Sequence, residues 1–369
     1  MTLTHARHSS ALLHALALVS ALALLAGCDA FGSDDADDPD AAGSVLVANQ
    51  GNFEDANGSV TSYDPQADEA TEAVPPSQLG SIIQGALAKD GRYYVVANGA
   101  TRLNIYDSET LDGIGQSASL GGSPRYVAVT GGETAYLTNQ KYGPAASNVL
   151  LLDVSDPAGG VPVTDSIAVA GLPADVTLTG ERAYTPLGGF SDTTLVAAID
   201  RSRREVIENI QINCSARFAF TDDEGEVLLP CNDADGGEVV VLDGESGNER
   251  ARISLPGAVT SIGATQAASY APGSEELYVA LSENRIARLD TDGTGDDNER
   301  VETLSISGSN PIGAVGYDAA AGELYVGRAA SAENPYTQRG SVTIHRRDGS
   351  QVGRFDAGNA PAFLSFVEE

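Results

Sequence analysis

A chain of 369 residues with a formal net charge of −31 repels phosphate backbones and anionic lipid, which argues against nucleic-acid binding. Apolar residues make up 42% of the chain, enough for a large core, and 41 glycines suit short strands joined by tight turns. The surplus of acids, with lysine only at Lys89 and Lys141, is typical of halophilic proteins, with an ordinary acidic secreted protein as the alternative.

Residues 1–28 are predicted to be an export signal. The apolar run from Ala11 to Ala26 is too short for a comfortable membrane span, and acidic residues follow it at once. Its end, LAGC, resembles the lipobox of bacterial lipoproteins. The resemblance implies that Cys28 is lipidated and becomes the mature N-terminus, with an uncleaved signal anchor as the alternative.

Residues 29–43 are predicted to be a disordered acidic tether. Six aspartates lie between Asp29 and Asp40, and the segment has almost nothing to bury. Such a composition cannot repay the entropy of ordering, and like charges extend the chain.

A β-type repeat fills residues 44–369. In six copies an apolar residue followed by Asp ends a strand-like run, as in Tyr63-Asp64, and the seventh copy has His345-Arg346. A second run lies upstream in each copy, and a third opens most copies, often after a proline. The first copy lacks this third run, and the last such run, 360–366, lies at the C-terminus. The pattern predicts an all-β, seven-bladed β-propeller closed by a C-terminal strand that completes the first blade.

Two stretches carry a family resemblance. AYLTNQ, YYVVANG and VLVANQG resemble the YVTN repeats of YncE-like propellers, and VANQGNF with NGSVTSYDP resembles the start of surface lipoprotein propellers of Gram-negative bacteria. Some members of that group capture cobalamin and pass it to an outer-membrane transporter. Gln50 replaces the glutamate usual in that motif.

Loops between second and third strands should lie around one mouth of the central channel, where propellers place function. Aromatic faces and a few fixed donors there suit a planar, amide-bearing or anionic ligand, or a protein partner. The alternative is that each aromatic packs its own loop and each cation pairs with an acid. The predicted ligand-binding residues are Asn49, Phe53, Arg102, Arg125, Lys141, Tyr142, Phe190, Arg328, Tyr336 and Arg339.

Signatures of catalysis are sparse. After the signal the only histidine is His345, at a position that the repeat assigns to a strand. The sequence contains no Cys-x-x-Cys motif. It also lacks tryptophan, which propeller quinoproteins need. The runner-up function is a lactonase-like hydrolase with a metal on channel carboxylates, for which Asp175, opposite Arg217, is the candidate. Aligning the repeats by their apolar residues or by their prolines gives registers that differ by one residue. The sequence therefore does not decide whether Asp175 faces the channel.

Two local features remain. DTDGTGDDNE offers Asp290, Asp292 and Asp296 as metal ligands, but the bidentate acid of an EF-hand is missing, so the pattern favours a solvated turn. Pairing of Phe220 with Gly225 would place Cys214 opposite Cys231, which predicts a disulfide in an exported chain; two buried thiols are the alternative.

Taken together, the expected protein is a monomeric, lipid-anchored propeller of the outer membrane or cell surface that needs no cofactor. It would bind a small ligand or an envelope partner such as a TonB-dependent transporter. A hydrolase and a structural surface protein are the alternatives.

Overall fold

The computed structural model describes residues 43–142, 146–188, 193–262, 265–292 and 300–367. Within these ranges the chain forms seven antiparallel sheets. Each sheet is one blade, and strands pair in chain order with two exceptions: blade 1 takes its first strand from the C-terminus, and in blade 5 two short strands both pair with the strand that follows them.

The first fifteen strands of the chain belong to blades 1 to 4. Their bounds are β1 (Val45–Asn49), β2 (Ser59–Asp64) and β3 (Glu69–Val74) in blade 1; β4 (Ile83–Lys89), β5 (Arg92–Ala97), β6 (Arg102–Asp107) and β7 (Gly113–Gln116) in blade 2; β8 (Ser123–Thr130), β9 (Thr134–Gln140), β10 (Asn148–Asp153) and β11 (Val163–Ala168) in blade 3; β12 (Thr177–Thr179), β13 (Arg182–Pro186), β14 (Leu195–Asp200) and β15 (Glu205–Gln211) in blade 4.

Blades 5 to 7 and the closing strand follow. Their bounds are β16 (Ser215–Ala216), β17 (Phe220–Thr221), β18 (Val227–Asn232), β19 (Gly237–Leu242) and β20 (Glu249–Ser254) in blade 5; β21 (Ala268–Ala271), β22 (Glu276–Leu281), β23 (Arg285–Asp290) and β24 (Val301–Ser305) in blade 6; β25 (Ile312–Asp318), β26 (Glu323–Arg328), β27 (Arg339–Arg346) and β28 (Gln351–Asn359) in blade 7; and β29 (Pro361–Phe366). Helical segments in the described ranges are short: α1 (Pro76–Leu79) and 3₁₀ turns at Pro157–Gly159 and Ser282–Asn284.

The C-terminal strand closes the ring, as the repeat predicts. β29 pairs with β1, with Val45 opposite Phe366 and Val47 opposite Leu364. The innermost strands β29, β4, β8, β12, β17, β21 and β25 contact one another in that order, and β25 contacts β29. The fold is therefore a closed seven-bladed propeller, and closure pairs the strand edge that blade 1 would otherwise expose.

Burial follows the position of a strand within its blade. Central strands such as β5 (RYYVVA) are buried along almost their whole length, because each lies between two neighbouring blades. Outer strands such as β3 (EATEAV) and β15 (EVIENIQ) expose most of their residues. The hydrophobic core accordingly lies between blades; Tyr94 and Val96 of blade 2, for example, pack with Val127 and Leu137 of blade 3.

The structure differs from the predicted pattern at the start of blade 4. The run after Pro173 begins a strand only at Thr177, because the backbone N–H of Asp175 donates to the carbonyl of Arg217 in blade 5, at 3.1 Å, and not to β13.

The predicted hairpin register in blade 5 was also wrong. Phe220 pairs with Leu228 and not with Gly225, and Cys231 lies opposite Ala216. The register changes by one residue between β16 and β17, because the two short strands are separated by unpaired residues.

In the described ranges, no helix has the length and apolar character needed to cross a membrane.

Candidate ligand-binding site at the channel mouth

The loop between β1 and β2 is held at its root by two neighbouring elements. The N–H of Gln50 donates to the carbonyl of Ala360 at 2.8 Å, and the carbonyl of Gln50 accepts the N–H of Ile83 in blade 2 at 3.0 Å. Gly51 has a φ of +72°, and a Cβ there would lie 2.4 Å from the nitrogen of Gly58. The tight start of this loop therefore requires glycine.

The tip of the same loop presents an aromatic ring to solvent. Asn57 Oδ1 accepts the N–H of Asn52 at 2.7 Å, and Asn52 Oδ1 accepts the N–H of Glu54 at 2.7 Å. These side-chain bonds shape the turn around Phe53, which is 68% exposed. A large apolar side chain held so openly on a fixed loop is suited to contact another molecule.

A cavity of about 580 Å³ opens beside this loop, at the end of the channel that we call the mouth. We call it the mouth cavity. It is lined by residues 50–54 of blade 1, Gln84 of blade 2, Arg125 and Tyr142 of blade 3, and Tyr336 and Thr337 of blade 7. Its volume lies in the range of pockets that hold small organic ligands.

Four of the predicted ligand-binding residues meet at this cavity. Phe53, Tyr142 and Tyr336 supply aromatic faces, and Arg125 supplies the guanidinium. Tyr142 is 63% exposed, whereas Tyr336 is half-buried, and burial raises its pKa. These residues come from blades 1, 3 and 7, so ring closure brings them together.

A hydrogen-bonded network forms the polar floor of the cavity. Arg125 is buried and donates to Gln84 Oε1, to Gln140 Oε1 at 3.2 Å and to the Tyr142 hydroxyl at 3.4 Å. The Tyr142 hydroxyl donates to Gln140 Oε1 at 2.8 Å, and Gln140 Nε2 donates to the carbonyl of Pro173 in blade 4 at 2.9 Å. The network thus joins blades 2, 3 and 4.

Two buried amides at the cavity retain unused hydrogen-bonding capacity. Gln50 is 6% exposed and Gln84 is 3% exposed. Among the described residues, neither the Gln50 side chain nor Nε2 of Gln84 has a hydrogen-bond partner, although both side chains line the cavity. The amide atoms without a protein partner are not fully enclosed, so they can be reached from the cavity and are available to a ligand.

Asn49 is placed inside blade 1 and not in the cavity. Its amide donates to the hydroxyls of Ser59 at 3.2 Å and Thr61 at 3.0 Å, and its Oδ1 accepts the N–H of Gly358 at 3.0 Å. This residue ties β1, β2 and β28 together.

Arg328 is likewise held inside the protein. It is buried and donates to Asn284 Oδ1 at 3.0 Å and to the carbonyls of Asn310 at 2.7 Å and Ser307 at 2.8 Å. Burial lowers the pKa of this guanidinium. Its contacts link blades 6 and 7 and leave it outside the cavity lining.

The remaining predicted residues lie around the cavity without lining it. Arg102 is exposed at the start of β6, Lys141 is half-buried beside Tyr142, and Arg339 forms an exposed ion pair with Glu72 at 3.4 Å. Phe190 lies outside the described residues.

The ring of Tyr126 contacts two other aromatic rings inside the channel. The ring of Tyr126 packs edge-on against Phe218 at 5.9 Å and against Phe363 at 5.8 Å between ring centres. We call these residues the aromatic triad. They border a second cavity, of about 490 Å³, which is lined by the innermost strands.

Asp175 lines this second cavity, so the structure places it on the channel face. Its carboxylate oxygens accept the N–H groups of Val176 at 2.8 Å and Ala219 at 3.2 Å. Burial outweighs these two bonds and raises the pKa of Asp175 to about 7.

The metal ligands that a lactonase-like site needs do not gather around Asp175 in the described ranges. The one described group of three metal-type ligands is Cys214, Cys231 and Glu238, and its two sulfur atoms are joined in a disulfide. The Cα atoms of the two cysteines are 5.7 Å apart, although they are not directly opposite each other.

The acidic turn after β23 is described only in part. Asp290 Oδ1 accepts the N–H of Asp292 at 3.0 Å, a bond common in solvated turns. Asp296 lies outside the described residues.

Sequence reasoning missed the amide residues of the mouth cavity. Gln84 and Arg125 lie in β4 and β8, the innermost strands of adjacent blades, and their contact depends on how the two blades pack. The strands approach closely there, since a Cβ on Gly85 would lie 2.3 Å from the carbonyl oxygen of Arg125.

The protein is a seven-bladed β-propeller, since seven sheets of four or five strands surround a channel. A cavity lies at the mouth of this channel. A family model described as "Domain of unknown function (DUF5074)" matches residues 43–357, and the chain belongs to this family.

Solved structures show the same fold at low sequence identity. Hydrazine synthase of Kuenenia stuttgartiensis is 16% identical, with a TM-score of 0.58 over 80% of this chain and 93% of that chain. A streptogramin B lyase is 10% identical, with a TM-score of 0.53 over 75% of this chain and 82% of that chain. No protein of curated function matches the sequence. Identities this low establish the architecture alone.

Proposed function

We propose that this protein is a lipid-anchored binding module of the bacterial cell envelope, which holds a small ligand in the mouth cavity without converting it. The observation that carries the proposal is the convergence of four blades on one cavity with fixed loops, exposed aromatic rings and side-chain amides. Such a site is pre-organised, so little ordering entropy opposes binding.

The lining favours a planar, amide-bearing ligand of the cobalamin type. Phe53 and Tyr142 offer ring faces, each able to contribute roughly 0.5–1.5 kcal/mol beyond burial of area. Gln50, Gln84 and Arg125 offer donors and acceptors that complement amide groups. The resemblance of the first repeat to cobalamin-capturing lipoproteins supports the same ligand class.

The anchor proposed for this module is a lipidated Cys28, followed by the acidic tether of residues 29–43. Several acyl chains on one cysteine hold a soluble domain durably at a membrane. A ligand held there could be handed to a TonB-dependent transporter in the outer membrane. The lipobox-like LAGC and the family resemblance support this part of the proposal.

A lactonase-like hydrolase and a structural surface protein are less well supported. The hydrolase rests on Asp175, which belongs to no group of three metal-type ligands in the described ranges. A purely structural role does not explain why aromatic rings and amides from four blades gather at the mouth cavity.

Calorimetric titration of the full-length protein with cyanocobalamin, in low and in molar salt, tests the proposal. We expect one-to-one binding that changes little with salt, since the contacts are aromatic and amide groups. Phe53→Ala should weaken binding about tenfold or more, whereas the matched control Ile207→Ala, an exposed apolar residue on the outer strand β15, should leave it unchanged.

Two results would contradict the proposal. No heat of binding from protein shown to be folded by circular dichroism would rule out this vitamin as the ligand. Tight binding that Phe53→Ala does not alter would place the ligand elsewhere than the mouth cavity.

A further inference from the structure

The cavity below the aromatic triad is chemically different from the mouth cavity. Its walls are mostly apolar and include Leu87, Val129, Leu178, Phe220 and Leu364, from the innermost strands of blades 1 to 5. Its volume of about 490 Å³ exceeds the needs of a few ordered waters and suits a small organic molecule.

The cavity opens towards the face opposite the mouth. Along β4, exposure rises from the buried Gly85, through the half-buried Ala86 and Leu87, to the exposed Lys89. Solvent therefore reaches the inner wall from the end of β4, and a ligand can enter there without passing the aromatic triad.

One carboxylate projects into this apolar space. Asp175 is half-buried, and the surface that remains accessible faces the cavity. Among the described residues, no lysine or arginine forms an ion pair with it. The hydroxyls of Thr177 and Thr221, 2.8 Å apart, provide further polar atoms on the same wall.

We propose that this channel cavity is a second ligand site, for a small molecule with an apolar body and one protonated amine, and that Asp175 is the counter-ion. An ammonium group beside Asp175 would supply the positive charge that the surrounding protein does not bring into ion-pair distance. The apolar walls would cover the rest of the molecule, and an anion would be repelled by the carboxylate. This site is independent of the ligand proposed for the mouth cavity.

Binding of an amine should depend on pH. The charged and titratable groups on the neighbouring elements are Arg125 and Tyr126 on β8 and Arg217 before β17, and Lys89 stands at the cavity entrance. Burial raises the pKa of Asp175 to about 7, so the carboxylate is mostly ionised at pH 8 and mostly protonated at pH 5.5. An amine that binds the ionised form should lose about 30-fold in affinity between these pH values.

The test is calorimetric titration of the full-length protein with hexylammonium chloride and with hexan-1-ol, which has a similar apolar body and no charge. Molar salt screens attraction of the amine to the acidic surface. At pH 8 we expect hexylammonium to bind at least tenfold more tightly than hexanol, and at pH 5.5 we expect this preference to disappear.

Two variants locate the effect. Asp175→Asn should abolish the preference for the amine at pH 8, whereas Asp318→Asn, which changes a buried carboxylate outside the cavity, should retain it. Equal affinities for amine and alcohol in the unmodified protein would overturn the proposal. So would an amine preference that survives Asp175→Asn or that is the same at pH 5.5. The mouth-cavity proposal is unaffected by either result, because its ligand and its variants are different.

Discussion

Arg125 of blade 3 donates a hydrogen bond to Gln84 Oε1 of blade 2, across the boundary between two blades. The two residues lie on the innermost strands β4 and β8 and are 41 residues apart in the chain. The bond fixes the guanidinium in the floor of the mouth cavity and leaves Nε2 of Gln84 available to a ligand.

Replacing Arg125 should affect both stability and binding. Arg125→Ala leaves the acceptors of Gln84 and Gln140 without this donor, and we expect the free energy of unfolding to fall by about 1–3 kcal/mol. Cyanocobalamin affinity should fall at least tenfold. Chemical denaturation and calorimetry measure the two effects, with Arg354→Ala, on the outer strand β28, as the exposed control. If Arg125→Ala left cyanocobalamin affinity unchanged, Arg125 would not be part of the ligand site.

Arg328 should behave in the opposite way. Arg328→Ala removes the donor to the carbonyls of Ser307 and Asn310, so we expect a loss of about 2–3 kcal/mol in unfolding free energy with ligand affinity unchanged. Arg339→Ala, which removes an exposed ion pair, should cost less than about 0.5 kcal/mol. If Arg328→Ala weakened binding while leaving stability intact, the sequence-based assignment of Arg328 to the ligand site would be favoured instead.

The disulfide should contribute measurably to stability. It closes a loop between residues 17 apart, and replacing both Cys214 and Cys231 by serine should lower the unfolding free energy by ~3 kcal/mol. Urea denaturation with and without reductant measures this difference. Reductant should destabilise the unmodified protein to the same degree and leave the double variant unaffected; equal stability of all samples would show that the bond contributes nothing.

Asp175 should make stability depend on pH when no amine is present. Its folded-state pKa of about 7 lies above the ordinary value of 3.8, so between these values the folded state binds more protons than the unfolded state. Stability should therefore fall as pH rises from about 4 to 7, by up to ~1.4 kcal/mol per pH unit relative to Asp175→Asn. Urea denaturation of both proteins across this range isolates the contribution, and parallel curves would show that the carboxyl titrates normally.

The opening loop illustrates how far sequence reasoning reached. VANQGNF predicted an exposed functional loop, and the structure places Phe53 at its tip beside Gln50. The sequence identified the aromatic residues because rings in polar loops are conspicuous. It did not identify Gln84, whose role depends on a neighbour in the next blade.

Asn49 and Arg328 show what a linear pattern leaves out. Both lie at strand ends near the mouth, and sequence position suggested that they face a ligand. In the structure each satisfies groups on adjacent strands, which a linear pattern cannot reveal, because hydrogen-bond partners depend on register and side-chain direction.

Strand repetition, blade number and ring closure could be predicted from residue order, because alternation of apolar residues and turn residues acts over a few positions along the chain. The mouth cavity, the channel face of Asp175 and the one-residue register shift between β16 and β17 follow from tertiary structure. They depend on how seven blades pack against one another, where a shift of one residue turns a side chain from the core to the channel. The pattern of residues along the chain thus specified a closed seven-bladed propeller. The packing between blades decided which side chains meet inside it.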